Sequence, residues 1–361
     1  MKNDAIDHPP VTIKDISALL HISTGTVHRA LHGKKGVGKE LREKILAVAK
    51  ERGYVPNEAA AALKRRKKRI VLIFPAREAA NRFFYTSVWD GLMAFEKRMF
   101  NYNVELVTLD ADQNPGQSLM EAYHRYHGEI DGILAAGAFD EQTVSNLKSL
   151  IPKGIPLAVS TTEIENALVN VVADFYATGQ LAAELLAAQL PPPAKILVLA
   201  GKENISSHAL TTQGFCEYFQ QHSIQLSPIC LYGYDESKNE ALREKILATL
   251  QQEEQIKGLF CVNARGSVLL SNILRESTVK GTYRFVGSDL FAENIQSMQD
   301  GIMHHIIFKN PFQQSNEATR ALLDFILHGQ APANSRIVVE SNVIFQSNLP
   351  MYVQRMKTNS L

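Results

Sequence analysis

The sequence predicts a small all-α domain ahead of a larger α/β body in two lobes, each built on a parallel, doubly wound sheet. Three observations lead there. Residues 1–69 hold 16 Lys and Arg against 7 Asp and Glu, a net of +9, while the remainder holds 22 against 30, a net of −8. Within the basic segment, apolar residues recur at helical spacing. From Ile70 onward, short buried-strand runs alternate with helical patterns, as parallel sheets with crossover helices require. At 361 residues and 45% hydrophobic content, the chain has room for two or three domains with full cores.

The helical domain is read as follows. After a tail at residues 1–10, Thr12 and Asp15 resemble a capping box, and Ile13, Ile16, Leu19 and Leu20 share one helical face. Ser23 is an N-cap for a second helix to about Leu31, which buries Val27, Ala30 and Leu31. A third helix spans roughly Lys39 to Arg52 and stops at Gly53. Two short helices with a tight turn form a helix-turn-helix, whose second helix enters the major groove of DNA. Its exposed residues are Thr24, Gly25 and Thr26, then His28 and Arg29. Arg29 has a local alternative as a cap or salt bridge, and His28 with His32 has the i, i+4 spacing of a metal pair without a third ligand in view. Residues 11–55 are thus the helical domain. Residues 56–69 follow as an Ala-rich hinge helix, capped by Asn57 and ending near Leu63, and an all-basic run from Lys64 to Arg69.

The stretch Gly33 to Glu40, "GKKGVGKE", nearly spells a nucleotide-binding P-loop. Glu40 stands where that loop needs Ser or Thr for Mg²⁺, and a helix rather than a strand precedes it. Nucleotide binding is therefore not expected.

The segment "VTIKDISALLHISTGTVHRALHGKKGVGKELREKILAVAKERGYVPNEAAAAL" resembles, in register, the headpiece and hinge of the lactose-repressor (LacI/GalR) family. The resemblance implies that Arg29 contacts a guanine and that Leu63 wedges into the minor groove at the operator centre. It implies further DNA contacts from Thr12, Ser23 and His32, and from Asn57 and Ala60 in the hinge. Lys34 and Lys35 would meet the phosphates, which position the protein without reading sequence. Three departures stand out. His28 and His32 replace the usual Ser and Asn, and Thr24-Gly25 is short for base reading.

Residues 70–361 resemble the periplasmic sugar-binding fold that the same family joins to its headpiece. Strand runs read here are "IVLIF", "VELVTL", "DGILAA", "PLAVS", "KILVLAG", "SPICLYG", "KGLFCVN" and "RFVGSD". "NRFFYTSVWDG" resembles an N-P-F-F segment with Arg82 in place of proline, so Asn81 would bond a ligand hydroxyl and Phe83 or Phe84 would stack on it. The alternative for both rings is core packing. Asn263 and Asp289 match sugar-binding positions; for Asp289 the alternative is a helix cap. Lys309, in "KNPFQQS", stands where a pocket Gln is usual. Thr211 replaces the usual anchor arginine, and Phe139, with Asp140 beside it, replaces a carboxylate. The expected effector is a small polar molecule: a neutral sugar or polyol, or a sugar acid or phosphate anchored by Lys309.

The three cysteines, Cys216, Cys230 and Cys261, lack C-x-x-C spacing, which fits a reducing compartment. Neither an apolar signal core nor a membrane-length run is present. No G-x-G-x-x-G follows a strand, no G-x-S-x-G occurs, and no zinc spacing is seen. The expectation is a cytoplasmic, nucleoid-associated homodimer without cofactor, metal or enzymatic activity. It would bind a pseudo-palindromic double-stranded operator under effector control. A transport solute-binding protein is the rival, and it would carry a secretion signal in place of the basic headpiece.

Overall fold

The computed structural model describes residues 11–31, 33–54, 66–78, 82–111, 113–233, 239–276 and 282–357. The chain divides into two compact units, Met1–Arg65 and Arg66–Leu361.

In the first unit, α1 (Ile13–Leu20), α2 (Thr24–Leu31) and α3 (Lys39–Glu51) follow the periodicity of the sequence. Thr12 and Asp15 close a reciprocal capping box, with the Thr12 N–H donating to Asp15 Oδ2 at 2.8 Å. The helix stops at His21, whose left-handed φ of 52° turns its N–H back onto the last carbonyls. Ser23 then opens α2, its hydroxyl accepting the Thr26 N–H at 3.1 Å. Ile16, Val27, Ala30, Ile45 and Ala49 make a core closed by Leu20, Leu41 and Tyr54. Helices this short are marginal alone, and this shared core is what holds them.

The second unit begins with β1 (Lys68–Phe74), α4 (Arg82–Met93), α5 (Glu96–Asn101), β2 (Val104–Asp110), α6 (Pro115–Arg125), β3 (Gly132–Ala136), α7 (Glu141–Leu150), β4 (Leu157–Ser160) and β5 (Val169–Ala173). A second lobe follows: α8 (Phe175–Ala187), β6 (Ala194–Gly201), α9 (Ser206–Gln221), β7 (Leu226–Tyr232), α10 (Asn239–Gln252), β8 (Ile256–Cys261), α11 (Ala264–Glu276), β9 (Arg284–Ser288), α12 (Ala292–Gln299) and β10 (His305–Phe308). The chain then returns to the first lobe as α13 (Pro311–His328) and β11 (Arg336–Val339), and ends in the second as β12 (Asn342–Ile344) and α14 (Leu349–Lys357).

The sheet orders are β2-β1-β3-β4-β5-β11 and β7-β6-β8-β9-β10-β12. All pairs are parallel except β10 with β12. Each sheet is covered on both faces. Ile70, Leu72 and Phe74 pack to one side of β1, and Val71 and Ile73 to the other. That is why these strands read as unbroken apolar runs. The first strand of the body opens at Lys68, within the basic run that precedes Ile70. Lys67 pairs with Glu105 at 2.9 Å, Lys68 with Asp131 at 2.9 Å and Arg69 with Glu105 at 3.0 Å, so part of the basic run serves the body.

In both sheets the strand order reverses about the first strand, β1 against β3 and β6 against β8. Such switch points leave a crevice at the carboxyl ends of the strands.

Candidate functional site

Two surfaces carry the chemistry. The first is the face of α2. Val27 and Ala30 are buried, which turns Thr24, Gly25, His28 and Arg29 to solvent. Thr26 is half-buried and its hydroxyl lies 2.9 Å from that of Ser23, so these two side chains close the helix start. Thr12 is likewise engaged, its hydroxyl donating to Asp15 at 2.7 Å. Lys34 and Lys35 are exposed in the following loop. Gly33 and Gly36 there have φ of 64° and 94°, values a side chain resists. The loop folds back on the helix, placing the Arg29 guanidinium 3.8 Å from where a Cβ on Gly36 would lie. Because α2 precedes the loop, the strand that a P-loop needs is absent at that point. His32, Asn57, Ala60, Leu63 and Asn81 lie outside the described residues.

The second surface is a cavity of about 380 Å³ at the two switch points, within the usual range for a small-ligand site. The first lobe contributes Pro75 after β1, Gly137 to Phe139 after β3, and Thr161 and Thr162 after β4. The second contributes Lys202 and Asn204 to His208 after β6, Val262 to Arg265 after β8, Asp289 after β9 and Lys309 after β10. Phe83, Phe84 and Tyr85 at the start of α4 form an aromatic wall. Phe83 also meets Phe291 of the other lobe, centroids 5.0 Å apart, and Phe84 packs into the first-lobe core. Both rings therefore line the cavity and pack. Arg82, beside them, pairs with Glu293 across the lobes.

Asp289 and Lys309 are 2% and 6% exposed and form an ion pair at 2.9 Å. The Lys309 ammonium also donates to the Val262 carbonyl at 3.3 Å. Burial pushes the Asp289 carboxyl upward, against the pull of Lys309. The helix-cap alternative for Asp289 does not hold, because α12 is preceded by Phe291 at its N-cap. One carboxylate oxygen, Oδ1, is buried without a hydrogen-bond partner. Such an atom is costly unless a ligand satisfies it.

Asn263 caps α11: its Oδ1 accepts the Gly266 N–H at 2.8 Å, which leaves the Nδ2 amide as the group to face a ligand. His208 accepts the Lys202 N–H on Nδ1 at 3.1 Å, so the proton of the neutral ring is on Nε2. Burial, then Lys309, Lys202 and Arg265, hold its pKa down at about 4. Gly201 is required between these groups. A Cβ there would lie 2.6 Å from both Asn263 Nδ2 and His208 Nδ1.

The structure thus gathers Phe83, Phe84, Asn263, Asp289 and Lys309 in one cavity. Asp140 is placed elsewhere: it is exposed, and its carboxylate caps α7 through the Thr143 N–H at 2.7 Å. The neighbouring Phe139 lines the cavity instead. Sequence reasoning missed Lys202, Arg265, Phe175, Thr161, Ser206, Ser207 and His208. Their position is the signal that locates them: Thr161 follows β4, Phe175 follows β5, Lys202 and Ser206 to His208 follow β6, and Arg265 follows β8.

A model of the periplasmic binding protein domain matches residues 78–331, and one of the lacI family of bacterial regulatory proteins matches residues 12–57. The chain joins a lacI-family DNA-binding domain to a body of the periplasmic binding protein domain family. It is 29% identical to the ribose operon repressor of Haemophilus influenzae over 34% of its own length and 36% of that protein. It spans about a third of that relative. It is 23% identical to the sucrose operon repressor of Pediococcus pentosaceus over 77% of its length and 81% of that protein. A solved transcriptional regulator CelR–cellobiose complex superposes with a TM-score of 0.60 at 19% identity, covering 92% of this chain and 98% of that one. At that identity the likeness speaks for the fold. Among the described residues, no helix is long and apolar enough to cross a membrane, and no group of three metal-ligating side chains occurs.

Proposed function

We propose that this lacI-family regulator is a cytoplasmic homodimer acting at the nucleoid, a repressor that binds a pseudo-palindromic operator and is switched by a carbohydrate-related effector. One observation carries the reading: a single chain joins an exposed Thr24-to-Arg29 helix face, in a basic segment, to a cavity with a buried, unpartnered carboxylate oxygen. A two-fold dimer would present two such helices to two half-sites. The names of the sucrose and ribose operon repressors support both repression and a sugar-class effector. Effector and operator would be coupled because each prefers a different arrangement of the two lobes. Turnover of the effector is no part of the proposal. A transport binding protein shares the body's fold, and the lacI headpiece weighs against it.

Selection of bound duplexes from a random DNA pool, followed by fluorescence anisotropy, tests this. The expected result is a palindromic consensus and an affinity that falls roughly 10³-fold or more between 50 and 200 mM salt. Arg29→Ala is expected to relax selectivity at one base pair per half-site. No enriched sequence, or a flat salt profile, would overturn it.

A further inference from the structure

Two of the three cysteines meet in the second lobe. Cys216 stands on α9 and Cys230 on β7, the strand that α9 leads into, and their sulfurs lie 3.7 Å apart. That is about 1.7 Å beyond the length of a disulfide bond, so the two thiols touch without being joined. Both are half-buried, and β7 is the edge strand of its sheet, paired with β6 alone. The third thiol, Cys261, is fully buried, and burial pushes it up. Cys216 and Cys230 pack against the cluster that holds Ile196, Phe215 and Phe219. That contact accounts for their partial burial but not for the approach of one sulfur to the other.

The pair is asymmetric. The Cys230 S–H donates to the Cys216 sulfur and so favours charge there, which holds the Cys216 thiol below its ordinary value. Burial and the neighbouring Glu217 oppose this shift without reversing it. The same contact, followed by burial, pushes the Cys230 thiol up. Since the thiolate is the nucleophile, Cys216 is the sulfur that reacts first, with Cys230 beside it to resolve the product.

We propose that Cys216 and Cys230 form a reversible modification site, oxidised by a hydroperoxide to an intramolecular disulfide that ties α9 to β7. The Cys216 thiolate attacks a peroxide oxygen: an S–O bond forms, the O–O bond breaks, and the leaving oxyanion takes up the proton that Cys216 released. Cys230 then attacks the Cys216 sulfur: the S–S bond forms, the S–O bond breaks, and the hydroxyl leaves as water with the Cys230 proton. Two thiols are oxidised by two electrons and one hydroperoxide is reduced. A thiol reductant reverses the step by exchange, so in a reducing compartment the pair rests as two thiols. The two residues are 14 apart in the chain, and the helix being tied is the one whose first turn, Ser206 to His208, lines the cavity. The bond therefore restrains one wall of the effector site.

Peptide mass spectrometry on the full-length protein tests the assignment, after stoichiometric hydrogen peroxide and alkylation of the remaining thiols. The expected product is a Cys216–Cys230 linked peptide, with Cys261 alkylated only after denaturation and both thiols recovered in dithiothreitol. Cys230→Ser should stop at a sulfenic acid on Cys216, captured by dimedone, whereas Cys216→Ser should lower the rate of peroxide consumption by at least about 10-fold. In the oxidised protein, amide hydrogen exchange should slow in α9 and β7 and stay unchanged in β1 to β3. Free Cys216 and Cys230 after treatment, links only between chains, or Cys216 carried to the sulfinic acid beside a free Cys230 would overturn the site. Exchange in α9 that is equally fast before and after oxidation would overturn the restraint on the cavity.

Discussion

Lys309 and Asp289 hold each other at 2.9 Å where almost no water reaches, so neither charge can be removed alone without stranding the other. Lys309→Met is expected to destabilise the body by about 3–5 kcal/mol, the usual result of leaving one buried charge unpaired. Asp289→Asn should have a similar effect. The double variant should be more stable than the two single losses added together, because neither charge then remains. Urea denaturation of all four proteins checks this; single variants within 1 kcal/mol of the parent would mean that the pair is solvated. At this scale the sequence was half legible. Asn263, Asp289 and Lys309 follow strand ends in segments that resemble sugar binders, so they could be named in advance. Lys202 and Arg265 are ordinary loop residues in "GKENISSHAL" and "NARGS" until the parallel pairing of β6 and β8 brings their carboxyl ends side by side. Asp140 was misjudged for a local reason: a carboxylate just ahead of a helix is drawn to the free N–H groups of its first turn.

The position of α9, which carries Lys202's neighbours into the cavity, is set by its contact with α8. Gly179 and Gly214 let the two backbones touch: a Cβ on Gly214 would lie 2.1 Å from the Tyr176 carbonyl oxygen, and one on Gly179 2.0 Å from that of Thr211. No flexible side-chain end is involved, so a helix must move. Gly214→Ala is expected to destabilise the protein by about 1–3 kcal/mol despite alanine's better helix propensity. It should also weaken effector binding, since α9 would shift at its cavity end. Chemical denaturation and calorimetry on the one variant read both effects; unchanged stability would show that the helices are not in close contact. Most elements were legible from periodicity alone, including all three headpiece helices and eight strands. The four strands not read, β5, β10, β11 and β12, are three to five residues long and flank the crossings between lobes. A run such as "HIIF" carries no period that separates strand from buried helix. Pairing with a neighbour decides it.

Across the whole body, three chain crossings stitch the lobes together, after β5, after β10 and after β11. The first and third are tied by the Thr178 and Ser341 hydroxyls at 2.7 Å. Helix α13 leaves a second-lobe strand to cover the first lobe, burying Ala318, Leu322 and Leu323 there. Neither sheet can therefore unfold without uncovering the other, and the body should melt in one transition. Acid tests this, because it loads one lobe selectively. His208 and His305 are held down at about 4, and His304 is lowered as well; all three lie in the second lobe. Burial comes first in each case, aided at His208 by Lys309, Lys202 and Arg265, and at His305 by His304 and Arg284. A depressed histidine binds fewer protons folded than unfolded. Its contribution is complete above pH 6.5 and is lost as the pH falls toward 4. Asp289, raised by burial, works in the opposite direction and softens the slope. For His208 alone the loss between those limits is about 3 kcal/mol. Scanning calorimetry from pH 7.5 to 4.5 should show the melting point of the body fall as one peak. His208→Gln should flatten the fall without splitting that peak. Two body peaks diverging with acid would mean that the crossings do not couple the lobes, and an unchanged slope in the variant would mean that His208 meets more water than its enclosure allows.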